Sequence, residues 1–182
     1  PSLTLDVGRQ QWTTQVLALE LHLAAAPLLN VLSARLPADA PLSADPGDAV
    51  RLTRDNGEQR ALVFSGTLEA ICRSHRQIEL RALDAGGVLA RLRPAVTYEK
   101  IGAANLARNL CAAAGVAVGE VEDGEPLAFY AADPGRNALQ HLARVYAWHG
   151  ALAGVDAENR FFARQINAAV AESALRHGRE TL

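Results

Sequence analysis

The sequence predicts a β-rich α+β fold built from tandem small β-barrel-like domains, with two amphipathic helices in the second domain. Three observations lead to this expectation. Short segments with an apolar residue at every second position fill the first half of the chain, turn residues separate these segments, and helical periodicity begins only after Pro94. We therefore expect a first barrel-like domain at residues 1–93 and a second domain, with a helical insert, at residues 94–182.

Alternating apolar residues mark the strands of the first predicted domain. One segment has Glu20 and His22 between leucines at every second position, which is typical of a half-buried strand; these leucines are Leu17, Leu19, Leu21 and Leu23. A DNG turn at 55–57 predicts a hairpin, because Asn and Gly accept a positive φ at little cost. Six or so strands with no helix between them indicate a small barrel or sandwich; they are expected at 3–7, 16–23, 28–36, 50–54, 59–73 and 76–83.

Residues 37–48 are expected to form a loop between two of these strands. The segment holds prolines at positions 37, 41 and 46, followed by Gly47. Proline and glycine interrupt regular structure, so a connection is predicted here.

The second predicted domain contains two amphipathic helices. At 100° per residue, the segment 103–114 separates an apolar face from a polar face formed by Asn105, Arg108 and Asn109. Gly115 is expected to end this helix in the left-handed conformation. Asn137 and Gln140 form a capping-box pattern at the start of the next helix. A hairpin is expected to follow, with strands at 151–155 and 160–164.

Bulk composition assigns no partner but excludes several classes of protein. The chain has 182 residues and a net charge of −2, so there is no general attraction to nucleic acid or to an anionic membrane. The most apolar segment, 16–36, contains Glu20, Pro27, Asn30 and Arg35 among its residues, and a bilayer span would tolerate few of these. Two cysteines do not form a disulfide framework. We expect an intracellular protein with reduced thiols and no membrane span.

The residues that could carry chemistry favour structural roles. Cys111 lies in the last turn of its helix, away from the helix N-terminus that would activate a thiolate, and is expected to pack as a small apolar side chain. His141 is expected to be solvated or to act as a cap, and His149 to meet the carbonyl groups at its helix end. The acidic run 120–125 is expected to be a solvated turn.

No pattern of catalytic or metal-binding residues stands out. Cys72 and His75 would point to opposite faces of a strand, and no second pair has the spacing that zinc requires. The glycine-rich, nucleophile and zinc-protease motifs do not occur. The sequence thus predicts a protein that is not an enzyme and has no cofactor or metal ion.

Four stretches together resemble the late control protein D family, which comprises baseplate hub proteins of contractile phage tails and is related to the hub part of type VI secretion spikes. The resemblance covers residues 46–162 and rests on the order and spacing of PGDAVRL (46–52), LVFSGTLEAICR (62–73), IELRALDAGGVLARLRPAVTYEKIGAANLARNLCAAAGVAVGEVEDG (78–124) and FYAADPGRNALQHLARVYAWHGALAGVDAENRFF (129–162).

This resemblance implies a structural role without catalysis. Such hubs are homotrimers of tandem barrels that join the tail tube to the spike; they assemble in the cytoplasm and then reside in the baseplate of the virion or injection particle. The family continues past this length, and ALRHGRETL (174–182) resembles the start of a further strand, so the second domain is expected to be incomplete at its C-terminus. The candidate assembly surface comprises Leu17, Leu19, Leu21, Leu23, Asn105, Arg108 and Asn109.

Two other classes of function remain open at this stage. A cell-wall hydrolase accessory to a tail would need a lytic domain, for which the two barrels leave no room. A small non-enzymatic binding module for a glycan or an effector protein would use aromatic side chains for stacking, and the candidates are Trp12, Tyr130, Tyr146 and Trp148.

Overall fold

The computed structural model describes residues 2–166, which form twelve strands and three helices. The strands are β1 (Ser2–Val7), β2 (Gln10–Trp12), β3 (Ala18–His22), β4 (Val31–Pro37), β5 (Ala49–Asp55), β6 (Arg60–Arg73), β7 (Gln77–Leu83), β8 (Val96–Ile101), β9 (Val118–Val121), β10 (Leu127–Ala132), β11 (Ala151–Val155) and β12 (Phe161–Gln165). The helices are α1 (Gly86–Arg91), α2 (Ala103–Ala114) and α3 (Ala138–Trp148). The predicted β-rich α+β class is confirmed. The stretch 174–182, expected to open a further strand, lies outside the described residues.

The first seven strands form one antiparallel sheet with the order β2-β1-β5-β6-β7-β4-β3. The alternation seen in the sequence directs one face of this sheet to a core, which we call the first core; it includes Leu5, Val7, Leu32, Leu36, Leu52, Phe64, Leu68 and Ile78. The predicted hairpin is present between β5 and β6, where the Asn56 amide donates to the carbonyl of Gln59. Among the described strands the sheet is open, since β2 and β3 at its two edges do not pair with each other.

The loop that follows β4 contributes to the first core. Leu42 and Ala44 are buried there, although only a connection was expected from the prolines around them. The Gln10 side chain fastens this loop to β2: its amide nitrogen donates to the Pro41 carbonyl at 2.6 Å, and its amide oxygen accepts from the Ser43 nitrogen at 2.7 Å. The backbone of the loop therefore finds its partners in a neighbouring side chain instead of a strand.

The second core lies between the three helices and two small sheets. β8 pairs with β10, while β12 lies between β11 and β9. Unlike every other strand pair within residues 2–166, β9 and β12 run parallel, which the sequence did not predict. The largest side chains buried in this core include Leu89, Leu106, Leu110, Leu142, Tyr146 and Phe161.

One helix, α1, is not predicted by the periodicity of the sequence. α1 lies within 1–93, where only strands were expected, and buries Leu89 in the second core. Six residues are too few to display a helical period, and Gly86 and Gly87 lower the helical propensity of the segment. Residues before Pro94 therefore contribute to both cores, and the division into domains at residue 93 stays a prediction.

α2 ends as expected but begins in an unexpected way. Gly115 has φ 69° and is the left-handed cap. At the other end Gly102 provides no side chain, and the Asp123 carboxylate accepts a hydrogen bond from the Ala104 nitrogen at 3.1 Å. A Cβ atom on Gly102 would lie 2.6 Å from that carboxylate oxygen. The acidic run 120–125 is thus not merely a solvated turn, because Asp123 caps α2 and Glu122 accepts from the Gln165 amide.

Removing the cap is expected to weaken the second core slightly. Asp123→Ala should lower the free energy of unfolding by about 1 kcal/mol, since the Ala104 amide loses its partner and the N-terminus of α2 loses a negative charge. Chemical denaturation would measure this. Glu125→Ala, at an exposed position in the same acidic run, is the matched control and should change the free energy of unfolding by less than about 0.5 kcal/mol.

The capping box of α3 is confirmed. The Asn137 side chain accepts from the Gln140 amide at 2.8 Å, and the Gln140 side chain accepts from the Asn137 amide at 3.0 Å. The expectation for His141 was wrong, since this residue is buried. Its Nε2 atom lies 2.9 Å from the Asp133 carbonyl, so Nε2 carries the proton, and Nδ1 accepts from the Tyr130 hydroxyl at 2.8 Å. His141 therefore ties α3 to β10 and to the turn between them.

Candidate assembly surface

β3 forms one edge of the large sheet and carries the first part of the predicted surface. It pairs with β4 on one side only. Leu17 and Leu23 flank the strand and are 60% and 64% exposed. Leu19 and Leu21 are instead half-buried against the first core. The four leucines therefore do not form one exposed row. Only Leu17 and Leu23, at the two ends of the edge strand, are exposed.

The outward face of α2 carries the second part. Asn105, Arg108 and Asn109 are all exposed, and the Arg108 guanidinium donates to the Asn105 side chain at 3.1 Å. The opposite face of the helix is buried in the second core. The two parts of the predicted surface thus belong to different cores: β3 is attached to the first core, and α2 to the second.

A buried polar network joins the elements of the two cores. The Asn30 side chain lies at its centre, where it accepts from the Ala24 amide at 2.7 Å and donates to the Val155 carbonyl at 3.0 Å. Asp84, at the end of β7, accepts from the Asn30 and Gly86 amides at 3.4 and 3.0 Å. Burial raises the pKa of Asp84 to about 6, although these hydrogen bonds act in the opposite direction.

Further contacts strengthen the same junction. The Ala26 amide donates to the Ala153 carbonyl at 2.9 Å, and the Asn159 side chain accepts from the Ala85 amide at 2.6 Å. In the sequence, Asn30 stands out only as a residue unsuited to a membrane span. A single asparagine within an otherwise apolar stretch is itself a signal for a buried polar contact, although the sequence does not name its partners.

An apolar groove of about 350 Å³ lies beside this junction. It is bounded by Leu23 and Ala24 from the first half of the chain and by Leu152 and Phe162 from β11 and β12. Leu23 and Leu152 are both exposed. The groove therefore continues the apolar surface at the end of β3 towards the second core.

The four aromatic residues proposed for ligand stacking do not form a common exposed surface. Trp12, Tyr130 and Tyr146 are buried. Trp148 is 55% exposed, with the Arg144 guanidinium 4.9 Å from its ring centroid and the Tyr130 ring meeting it edge-on. Only one of the four candidates thus presents an aromatic face to solvent.

Cys111 is fully buried in the second core, as its helical position predicts. Burial raises the pKa of its thiol to about 12. Cys72 is exposed in β6, while His75 lies in the turn that follows, so the two residues do not share a strand. Within residues 2–166, no three His, Cys, Asp or Glu side chains are arranged to hold a metal ion.

The two cysteines should differ strongly in reactivity. Under native conditions a thiol reagent is expected to label Cys72 promptly and Cys111 at least about a hundredfold more slowly, because Cys111 is inaccessible and rarely ionised at neutral pH. Mass spectrometry of the labelled peptides measures both rates in one sample. Comparable native rates would contradict the packing role of Cys111, and equal labelling in denaturant is the internal control.

The helices of the described part are also too short for a membrane-spanning role. No helix among residues 2–166 combines the length and apolar character needed to cross a bilayer.

Solved structures share this arrangement of sheets and helices. The 43 kDa tail protein of prophage MuSo2 from Shewanella oneidensis is similar with a TM-score of 0.76 and 16% identity, covering 98% of this chain and 58% of that protein. A tail protein from Neisseria meningitidis MC58 is similar with a TM-score of 0.69 and 15% identity, covering 88% of this chain and 50% of that one. The chain has the fold of these tail proteins.

A component of the E. coli type VI secretion system is similar at a lower level. Its TM-score is 0.56 with 10% identity, and the match covers 87% of this chain and 47% of that protein, which itself exhibits structural similarity to the T4 bacteriophage tail proteins gp27 and gp5. The chain therefore spans about half the length of the tail and secretion proteins it matches. No protein-family model and no curated protein sequence matches it.

Proposed function

We propose that this protein is a structural hub component of a contractile phage tail or a related injection machine, where it joins the tail tube to the spike. The observation that carries this proposal is the match over 98% of the chain to a single tail protein. The match extends over the elements of both cores and is not confined to one of them. A likeness confined to one small barrel would be far less specific, because such barrels serve many functions.

The proposal includes membership of the late control protein D family, assembly as a homotrimer, and the division into two hub domains near Pro94. The protein would assemble in the cytoplasm and then reside in the baseplate, and it would catalyse no reaction. The exposed ends of β3 and the polar face of α2 are the surfaces proposed to meet other subunits. An edge strand and exposed apolar side chains are the features that closed assemblies cover.

Reconstitution with the tail tube and spike proteins of the same particle tests this function. The complete product of the gene should elute with a trimeric mass in light scattering and should form a larger complex when both proteins are added. Arg108→Glu combined with Leu17→Asp should reduce that complex while leaving the fold intact, as judged by circular dichroism.

Two results would count against the hub proposal. One is a strictly monomeric protein at tens of micromolar that recruits neither tube nor spike. The other is tight binding of a glycan by the same monomer, lost on Trp148→Ala, which would favour the binding-module alternative.

A further inference from the structure

The outer edge of β3 has no strand partner among the described residues, since β3 pairs with β4 alone. At β2, the loop at residues 38–48 is fastened by Gln10. At β11, the carbonyls of Ala153 and Val155 already accept from the Ala26 amide and the Asn30 side chain. For the outer edge of β3, residues 2–166 provide no comparable cover. Natural sheets seldom leave an edge unprotected, since its free amides and carbonyls bind other strands.

The side chains of β3 are complementary to a second copy of themselves. Glu20 and His22 lie on the same exposed face, with their Oε2 and Nε2 atoms 3.9 Å apart and their side chains 63% and 73% exposed. Ser33 stands beside Glu20 on β4, and Arg35, Glu79 and Arg81 line the same shallow hollow. A strand with one acid and one base two positions apart can pair with its own copy in a charge-matched register.

Two copies of β3 could pair antiparallel along their outer edges in three registers, which differ in the residue that lies at the centre of the pairing. A register centred on Glu20 places two carboxylates opposite each other, and one centred on His22 does the same for two imidazoles. A register centred on Leu21 places Glu20 opposite His22 of the partner subunit, twice. It also places Leu19 opposite Leu23 of the partner subunit, which covers a leucine that is 64% exposed.

We propose that two copies of this chain pair antiparallel along β3, centred on Leu21, in a two-fold dimer. The contact is isologous, with two Glu–His pairs and two Leu–Leu pairs related by the axis. Because the register pairs only residues 19–23, one residue beyond the end of the short strand β3, the buried area is small and the dimer is weak and exchangeable. Its role rests on the proposed function: it occupies the β3 edge of the free chain until assembly of the trimer with its tail partners displaces the second copy.

Substitutions that exchange the charged groups at positions 20 and 22 test the pairing, in the protein without tube or spike proteins. Sedimentation velocity at about 10–300 µM should show a monomer–dimer equilibrium. Glu20→Lys and His22→Glu should each weaken the dimer by about tenfold, because each places like or unmatched groups opposite each other twice. The double variant, Glu20→Lys with His22→Glu, places opposite charges across the register and should return to within about threefold of the original affinity. Both positions are exposed, so the fold should tolerate these changes.

Two exposed leucines provide a matched control. Leu23→Ser removes a contact of the proposed register and should weaken the dimer, whereas Leu28→Ser, at a position that is 69% exposed but outside the paired residues 19–23, should not. A chain that stays monomeric at every concentration would overturn the proposal. So would a dimer that is unaffected by both single charge changes.

The outcomes separate this inference from the proposed function. A dimer that responds to the charge changes, with no binding of tube or spike proteins, would refute the hub proposal alone. A trimer that binds both proteins, without any two-fold dimer of the free chain, would refute the inference alone.

Discussion

Replacing Asn30 with alanine is expected to lower the free energy of unfolding by about 2–4 kcal/mol, because two buried backbone groups lose their partners together. The Ala24 amide and the Val155 carbonyl both bond to this one side chain, at 2.7 and 3.0 Å. Asn30 is only 5% exposed, so water cannot readily replace it. The loss should affect the attachment of the two cores more than either core itself.

Denaturant unfolding followed by two probes would detect this uncoupling. Trp12 reports on the first core, and Trp148 packs against Tyr130 in the second core. In the original protein we expect coincident transitions, while Asn30→Ala should separate them. Asn105→Ala on the exposed face of α2 is the control and should change the free energy of unfolding by less than about 0.5 kcal/mol. A similarly small effect of Asn30→Ala would show that the network does not hold the junction.

Stability should depend on pH through Asp84, the group among residues 2–166 whose shifted pKa falls in the acidic-to-neutral range. Burial raises the pKa of Asp84 from 3.8 to about 6, so the folded protein favours the protonated carboxyl. The stability contributed by this group is therefore fully present below about pH 4 and is lost as the pH rises through about 6. A pKa difference of about two units between the folded and unfolded states corresponds to about 3 kcal/mol in the free energy of unfolding.

Asp84→Asn isolates this contribution. The amide oxygen can still accept from the Gly86 nitrogen, but the side chain no longer titrates. The difference in unfolding free energy between the original protein and the variant should fall by about 3 kcal/mol from pH 4 to pH 7. Urea titrations at several pH values provide the measurement. A difference that stays constant with pH, or that grows towards pH 7, would contradict the raised pKa.

Local patterns predicted most of the fold because they depend on a few neighbouring residues. Alternation places β1 and β5 to β7, the DNG sequence gives the hairpin, and Gly115 and the Asn137–Gln140 pair give the helix ends. These signals follow from backbone geometry within one element. The helix α1 was not predicted because six residues are too few to show a helical period. The parallel pairing of β9 with β12 was not predicted because it depends on contacts between distant segments.

Buried polar residues were the least predictable part of the structure. His141 and Asp84 have no local pattern that distinguishes a buried partner from a solvated side chain, and their partners Tyr130 and Asn30 lie 11 and 54 residues away in the chain. The candidate surface shows the same limit. Periodicity groups the four leucines of 17–23, but only packing separates exposed Leu17 and Leu23 from half-buried Leu19 and Leu21.

The position of the protein within an intact particle tests the hub proposal most directly. Cryo-electron microscopy of purified tails or injection particles, with quantitative mass spectrometry of their subunits, would give both location and copy number. We expect three copies at the point where the tube meets the spike, with residues 2–166 fitting the density as a ring around the axis. Absence from the purified particle, or a location away from that junction, would contradict the account.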